Sequence, residues 1–347
     1  MTDEAQNNQP DAASMARIEQ FLEGAGAPST NIQETAADQV AAEDWREEVP
    51  EGHLSGFVAL MGRANVGKST LVNALVGQKV AIVSRKPQTT RQRLMGILTE
   101  PEYQIIFIDT PGIHAKPHTK LNELMVEQAI AAIPDADVIL FVVDVSVPPR
   151  KQDKMIARIL KTKAQQRPVI FVLNKMDKLP LDRAEGRIES YWELFPEYAD
   201  SIPTSALRGA NVERLKLHLL EHLPEGPRYY PGDQITDQTE RQIAAELIRE
   251  GVLRHTYQEV PHATGVLVED YKERDNGVTY ISARIWVERD SQRPIMIGKG
   301  GQKLKQIGAA ARQELERFIG GKVYLDLLVK VQPQWRDRDA RLQELGY

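Results

Sequence analysis

The sequence contains no cysteine in its 347 residues. That excludes disulfide bonds and thiolate metal sites, and it fits an intracellular protein. Long hydrophobic runs are also missing. The longest, "VILFVV" (Val138–Val143), is far short of the roughly 18 apolar residues that a membrane-spanning helix requires. The first residues lack a basic stretch followed by an apolar core, so no secretory signal is expected. There is no internal repeat, and no overall surplus of positive charge, the net being −5.

That net charge conceals an asymmetry. Residues 1–50 hold eleven Asp/Glu against two Arg, a net of −9, which leaves the remainder at +4. This segment is rich in Ala, Gln, Asn and Ser without apolar periodicity, and the composition predicts a disordered acidic extension over 1–53. Residues 291–341 carry eleven Lys/Arg against five Asp/Glu. A basic C-terminal face suggests a polyanionic partner, although a solvated surface gives the same count.

Between 54 and 224, short β-branched runs alternate with amphipathic stretches. Strands are expected at 57–61, 103–109, 137–144, 168–174 and 201–206, and helices at 68–77, 118–133, 151–164, 182–194 and 211–223. This alternation predicts an α/β domain with a mostly parallel sheet, in which ligands sit at the carboxyl ends of the strands. "PEGPRYYPGDQ" (224–234) reads as an interdomain linker, assigned to 225–235. A different order follows over 236–347. A helix, a hairpin around "RDNG", a short apolar turn (294–297), "GKGG", a second long helix and a strand (322–331) predict an α+β module.

The chemistry begins at Gly62-x-x-x-x-Gly67-Lys68-Ser69. This spacing, with a strand before it and a helix after, is the phosphate-binding loop. Its backbone N–H groups, from Gly62 through Thr70, cradle the phosphates at a helix N-terminus. Lys68 reaches the β- and γ-phosphate oxygens, and Ser69 ligates Mg²⁺. "NKMD" (Asn174, Lys175, Met176, Asp177) selects the base. A carboxylate at Asp177 accepts from guanine's N1–H and amino group, and adenine lacks that pattern. Asn174 buttresses the loop, while the Lys175 stem covers one ring face. "DTPG" places Asp109 to bind Mg²⁺ through water and the Gly112 N–H to sense the γ-phosphate. "SALRG" places Ser205 and the Ala206 N–H beside the guanine carbonyl. Four motifs in this order imply a guanine-nucleotide switch using GTP/GDP and Mg²⁺.

"GRANVGKSTLVNAL", "SRKPQTTRQR", "DTPGIH", "NKMD" and "SALRG" resemble the TrmE-Era-like family of translation-factor-related GTPases, from about residue 54 to the C-terminus. The resemblance makes "PQTTR" (87–91) the first switch, with Thr90 the chosen Mg²⁺ ligand and Thr89 its competitor. Relatives usually carry proline where this chain has Ala64, a position that needs no side-chain chemistry. Ile113 stands where Ras-like switches place a water-orienting glutamine. Unaided turnover should therefore be slow, on the order of 10⁻⁴–10⁻² s⁻¹. In similar GTPases an asparagine at the position of Asn65 holds K⁺ in place of an arginine finger; the alternative is that Asn65 only tolerates a tight loop. Lys68, Thr90 and Asn65 are thus the catalytic candidates. His114 is either a general base or a mobile surface histidine.

In the C-terminal module, Gly298-Lys299-Gly300-Gly301 lets a nucleic-acid backbone approach without Cβ obstruction, as in KH domains. Lys299, Lys303 and Lys305 supply phosphate neutralisation beside an apolar groove of Ile295, Ile297, Leu304 and Ile307. The element order resembles a type II KH domain. The family resemblance implies a monomeric cytoplasmic GTPase of small-subunit (30S) ribosome biogenesis and 16S rRNA processing. It would bind the 3′ end of 16S rRNA, with GTP gating the interaction. Two other readings stay open: a constitutive RNA-binding protein with a passive nucleotide, and a GTPase whose basic end touches the inner membrane surface peripherally.

Overall fold

Strands that are apolar on both faces, such as "FVALM" and "VILFVV", can be buried only in a sheet covered on both sides. The computed structural model describes residues 49–84, 86–113 and 119–347. Nearly all of the acidic extension expected over 1–53 lies outside the described residues, and so does His114. Six strands, β1 (Leu54–Met61), β2 (Leu94–Glu100), β3 (Tyr103–Asp109), β4 (Val138–Asp144), β5 (Val169–Asn174) and β6 (Asp200–Pro203), form one sheet. Its order is β2-β3-β1-β4-β5-β6. All neighbours are parallel except β2, which runs antiparallel to β3 at the edge.

Five helices cover the two faces: α1 (Lys68–Val76), α2 (Lys120–Ala131), α3 (Lys151–Lys163), α4 (Ala184–Trp192) and α5 (Val212–Leu220). Alternation along β1 shows how the faces divide. Phe57, Ala59 and Met61 join the core beneath α2, α3 and α4. Val58 and Leu60 join the core beneath α1 and α5. The carboxyl ends of β1, β3, β4 and β5 therefore open on one rim, where the sequence motifs lie.

Strand β2 was not expected from the sequence. A mid-strand glycine weakens the pattern, and its reason is steric: a Cβ on Gly96 would stand 2.7 Å from Cγ1 of Val72 on α1. The outer edge of β2 is covered by the segment expected to be a linker. Ile97 N–H donates to the Ile235 carbonyl at 2.9 Å, and Met95 N–H donates to Asp237 Oδ1 at 2.8 Å. Upstream, the buried amide of Gln104 accepts from the N–H groups of Tyr229 (2.7 Å) and Tyr230 (3.0 Å) and donates to the Tyr230 carbonyl (2.8 Å). Residues 225–237 are strapped to the sheet edge, which also blocks an exposed template for strand pairing.

The second sheet comprises β7 (Gly265–Glu273), β8 (Val278–Val287) and β9 (Lys322–Val331), in the order β7-β8-β9. β7 and β8 form the antiparallel hairpin, and β9 pairs parallel with β8. α6 (Glu240–His255), capped by a reciprocal Thr239–Gln242 box, and α8 (Gln302–Ile319) close one face over Leu247, Ile248, Ile281, Ile307 and Leu315. Short α7 (Gln292–Ile297) precedes the glycine turn, and α9 (Asp339–Glu344) ends the chain's helices.

The last residues do not trail away. Trp335, fully buried, packs with Trp286, Leu342 and, from the first unit, Leu121 and Met125 of α2. Its indole N–H donates to the Ala263 carbonyl at 3.0 Å. Trp335 stands 49 residues after Trp286 and about 200 after α2, so no local pattern announces this docking. Trp335→Ala should cost about 3–5 kcal/mol, as for other buried aromatic truncations. The measurement is the urea midpoint of the C-terminal unit, and a change below about 1 kcal/mol would mean that this segment does not dock.

Candidate functional site

The turn after β1 is shaped by close approaches. Gly67 has φ 106° and caps α1; a Cβ there would lie 2.4 Å from Asn174 Nδ2. A Cβ on Gly62 would meet the Val142 carbonyl at 2.5 Å, and one on Gly112 would meet Ala64 Cα at 2.6 Å. Asn65 takes a left-handed φ of 63°. The loop therefore threads between the ends of β4 and β5. Thr70 and Gly112 line the resulting cleft with Lys68 and Ser69.

Lys68 is buried, and its Nζ donates to the carbonyls of Gly62 (2.9 Å) and Arg63 (3.3 Å). Desolvation lowers its pKa to about 8, although the Asp109 carboxylate opposes that shift. Burial raises the pKa of Asp109, against the attraction of Lys68 and hydrogen bonds from Ser69 and Thr90. Two opposite charges, each disfavoured by burial, face an anion-shaped loop. Ser69 Oγ donates to Asp109 Oδ2 at 2.6 Å and lies 2.7 Å from Thr90 Oγ1, which stands 3.3 Å from the same carboxylate. Asp109 Oδ1 is buried without a partner. Two hydroxyls and a partly unpartnered carboxylate are hard oxygen donors that fit Mg²⁺ held together with phosphate oxygens. Thr89 Oγ1 turns the other way, donating to the Lys86 carbonyl at 2.7 Å. Among the described residues there is no cluster of His, Cys, Asp and Glu able to hold a metal by themselves.

At the end of β5, Asn174 bridges two loops. Its Nδ2 donates to the Val66 carbonyl (2.7 Å) and its Oδ1 accepts from Ala206 N–H (3.0 Å). The Ala206 amide is thus already engaged here, rather than aimed into open space. Lys175, at φ 67°, spans to the phosphate loop through the Asn65 carbonyl (2.6 Å) and to Asp144 (2.7 Å). Ser205 Oγ donates to Asp177 Oδ1 at 2.6 Å and orients that exposed carboxylate. A cavity of about 630 Å³ runs from Gly67 and Thr70 past Asn174 and Lys175 to Asp177 and Ala206. Of the predicted nucleotide-site residues, all but Gly62, Asp109 and Ser205 line this cavity or the adjoining one around Lys68, and those three are hydrogen-bonded to the lining residues Lys68, Ser69 and Asp177. Ile113 is buried and bridged to Arg63.

The glycine turn lies in the second unit. Gly298, Gly300 and Gly301 all have positive φ, and a Cβ on either of the last two would meet nothing within 4 Å. Lys299 and Lys305 are exposed, and Ile297 is half-buried beside them. One expectation is corrected. Ile307 is not in a groove but fully buried in the core beneath α6, because it lies on the inner face of α8. Lys303 is half-buried, and its Nζ donates to the His255 carbonyl at 3.2 Å, at the end of α6.

Comparison with known proteins agrees with this geometry. The 50S ribosome-binding GTPase family model matches residues 57–175, and a KH domain model matches 259–336. GTPase Era from Nostoc sp. is 50% identical over 301 residues, covering 86% of this chain and 91% of the relative. The chain belongs to the Era GTPase family. Era from Clostridium botulinum is 47% identical, covering 84% of this chain and 98% of its own. A crystal structure of Era with MgGDPNP and nucleotides 1506–1542 of 16S ribosomal RNA superposes with a TM-score of 0.80 at 42% identity. It covers 85% of this chain and 99% of that one. An Aquifex aeolicus Era variant bound to GDP and AlF₄⁻ superposes equally well. The fold is accordingly a P-loop GTPase domain with a mostly parallel sheet, followed by a type II KH domain.

Within this Era-family fold, sequence reasoning missed two arginines. Arg91 is buried, and its guanidinium donates to the carbonyls of Thr264 (2.7 Å), His262 (3.0 Å) and Pro261 (3.2 Å) from the KH side. Its only sequence signal was adjacency to Thr90. Arg63, in a position of the phosphate loop open to any residue, pairs with Asp153 (3.2 Å) and Asp144 (3.5 Å). Burial raises the pKa of Asp153, and Arg63 opposes that shift. Arg63→Ala would leave the Asp153 carboxylate buried without its cation and should cost about 3–5 kcal/mol. The double variant Arg63→Ala/Asp153→Ala should recover most of that loss in urea denaturation; a double variant as unstable as the single one would refute the pairing.

Proposed function

We propose that this chain is a GTP-hydrolysing, nucleotide-switched RNA-binding protein acting at the 3′ end of 16S rRNA in biogenesis of the 30S subunit. Its organisation is a G domain over 54–224, a connecting segment over 225–235 and a KH domain over 236–347. The carrying observation is a pair of adjoining cavities that share Asn65, Gly67 and Thr70: Lys68, Ser69 and Thr90 line one, with Asp109 hydrogen-bonded to Ser69 behind it, and the Asp177 carboxylate lines the other. The rRNA partner is supported by the Era complex with a 16S fragment. Hydrolysis is supported by the Era complex with GDP and AlF₄⁻.

In this reading, the loop amides from Gly62 to Thr70 and Lys68 bind the phosphates, with Gly112 as the γ-phosphate sensor. Ser69, Thr90 and Asp109 would hold Mg²⁺, whose charge offsets that of the phosphates. Asp177, oriented by Ser205, reads the guanine edge, and Lys175 covers one face of the ring. Asn65 would hold K⁺, which supplies positive charge near the transferring group in place of the missing glutamine and arginine devices. Lys299, Gly300 and Gly301 clamp the RNA backbone, with Ile297, Lys303 and Lys305 alongside. Gating has a physical route: Thr90 adjoins Arg91, which is fastened to residues 261–264.

The decisive experiment is GTP turnover by the full-length protein in Na⁺ or K⁺, each with and without single-stranded RNA from the 16S 3′ end. Turnover should rise with K⁺ and with that RNA but not with a scrambled one. Gly300→Asp should remove only the RNA effect, since that position faces open space. Equal RNA affinity of the GTP- and GDP-loaded forms, with no turnover under any condition, would favour a constitutive RNA binder instead.

Base selection gives an independent check. Asp177→Asn should weaken GTP on the order of 10²–10⁴-fold and admit xanthosine triphosphate, whose extra carbonyl restores the pairing. Competition binding measures both, and unchanged GTP preference would remove Asp177 from the base site.

A further inference from the structure

The cavity of about 630 Å³ has an outer wall from another part of the chain. Arg254, in the last turn of α6, and Tyr257, just beyond it, line the same cavity as Lys175 and Asp177. Large exposed apolar side chains are few among the described residues. Three of them, Val83 (40%), Leu207 (70%) and Tyr257 (69%), come from separate elements and line this one cavity. Apolar surface converging on a cleft with a few placed polar groups is the character of a small-molecule site.

The wall is held in place from two sides. Lys86, immediately before the 87–91 switch segment, donates to the carbonyls of Leu253 and Thr256 and sits 4.9 Å from the Tyr257 ring centroid. Lys303, just past the glycine turn, donates to the His255 carbonyl and lies 5.8 Å from the same ring. The end of α6 is thus tied both to the switch and to the RNA clamp.

We propose that Arg254 and Tyr257 of the KH domain form the outer wall of the guanine-nucleotide site and retain the bound nucleotide. The inference rests on the reading of this cavity as a guanine-nucleotide site. Lys175 covers one side of the nucleoside, and the Tyr257 ring supplies aromatic surface on the facing side. Arg254 adds a permanent positive charge with a fork of donors toward a polyanionic ligand.

The test is the dissociation rate of tritiated GDP from the full-length protein, chased with unlabelled GDP. Arg254→Ala and Tyr257→Ala remove exposed side chains, so the fold is retained. Each should release GDP roughly fivefold to tenfold faster. Leu217→Ala, an exposed truncation on α5 outside the cavity, should match the unmodified protein. Preference for GDP over ADP should not change in any of them. Release at the unmodified rate from both cavity variants would overturn the proposal. Failure of the unmodified protein to bind GDP at all would bring down the guanine-site reading itself.

Discussion

The buried cation Arg91 sits at the centre of the contact between the two units. Arg91 is 1% exposed, and three backbone carbonyls from residues 261–264 accept its guanidinium hydrogens, leaving Nε alone without a partner. The Trp335 ring lies 5.8 Å away, and Trp335 in turn holds the Ala263 carbonyl. Burying a guanidinium costs several kcal/mol unless its donors are matched. Arginine cannot escape that cost by losing its proton. The positions of α2, the 261–264 loop and the C-terminal residues are therefore interdependent: each supplies part of the shell that makes this charge tolerable. Thr90, one peptide unit away, meets Ser69 on the nucleotide side.

The nucleotide site obeys the same electrostatic logic with the opposite outcome. Lys68 and Asp109 are both buried, and burial shifts each toward its neutral form. Their mutual attraction and the surrounding hydroxyls resist those shifts only in part. A multiply charged anion with its own cation supplies what both lack, and fixed amides at a helix N-terminus accept it without rearranging. Arg63 and Lys175 brace this loop from behind through Asp144 and Asp153. In Asp144 the hydrogen bonds from Lys175 and Ser146 outweigh the burial that would raise its pKa, so the net shift is downward. The phosphate loop is thus pre-formed by ion pairs on its hidden side.

Residues 225–237 alter the picture of how the units move. They are laced to β2 and Gln104 by backbone and side-chain hydrogen bonds. Relative motion would break the contacts around Arg91, Arg249 and Lys79 rather than flex this strap. Arg249 donates to the carbonyls of Gln88 and Thr89, and Lys79 pairs with Glu250 and Glu314. The Arg249 and Lys79 contacts join segment 87–91 and the residues just after α1 to α6 and α8, and the Arg91 contacts join segment 87–91 to residues 261–264.

Much of this was legible in the sequence for a physical reason. Phosphate and guanine recognition use local backbone shape and residues at fixed offsets, so Gly62, Gly67, Lys68, Ser69, Asp109, Asn174 and Asp177 announce themselves, as does the glycine turn at 298–301. The parallel sheet follows from strands apolar on both faces. Where spacing left a choice, as between Thr89 and Thr90, only three-dimensional placement separates the hydroxyls: one meets Ser69, the other a backbone carbonyl. Strand β2, the strap, the burial of Ile307 and the roles of Arg63, Arg91, Arg249 and Tyr257 were likewise invisible. Their partners lie tens to hundreds of residues away, and no local rule states which carbonyls a buried arginine will find. The sequence by itself determined the two-unit fold class and the candidate residues of the two sites; the tertiary structure decided how the units are joined, because that junction consists largely of long-range contacts to backbone groups, which carry no residue code.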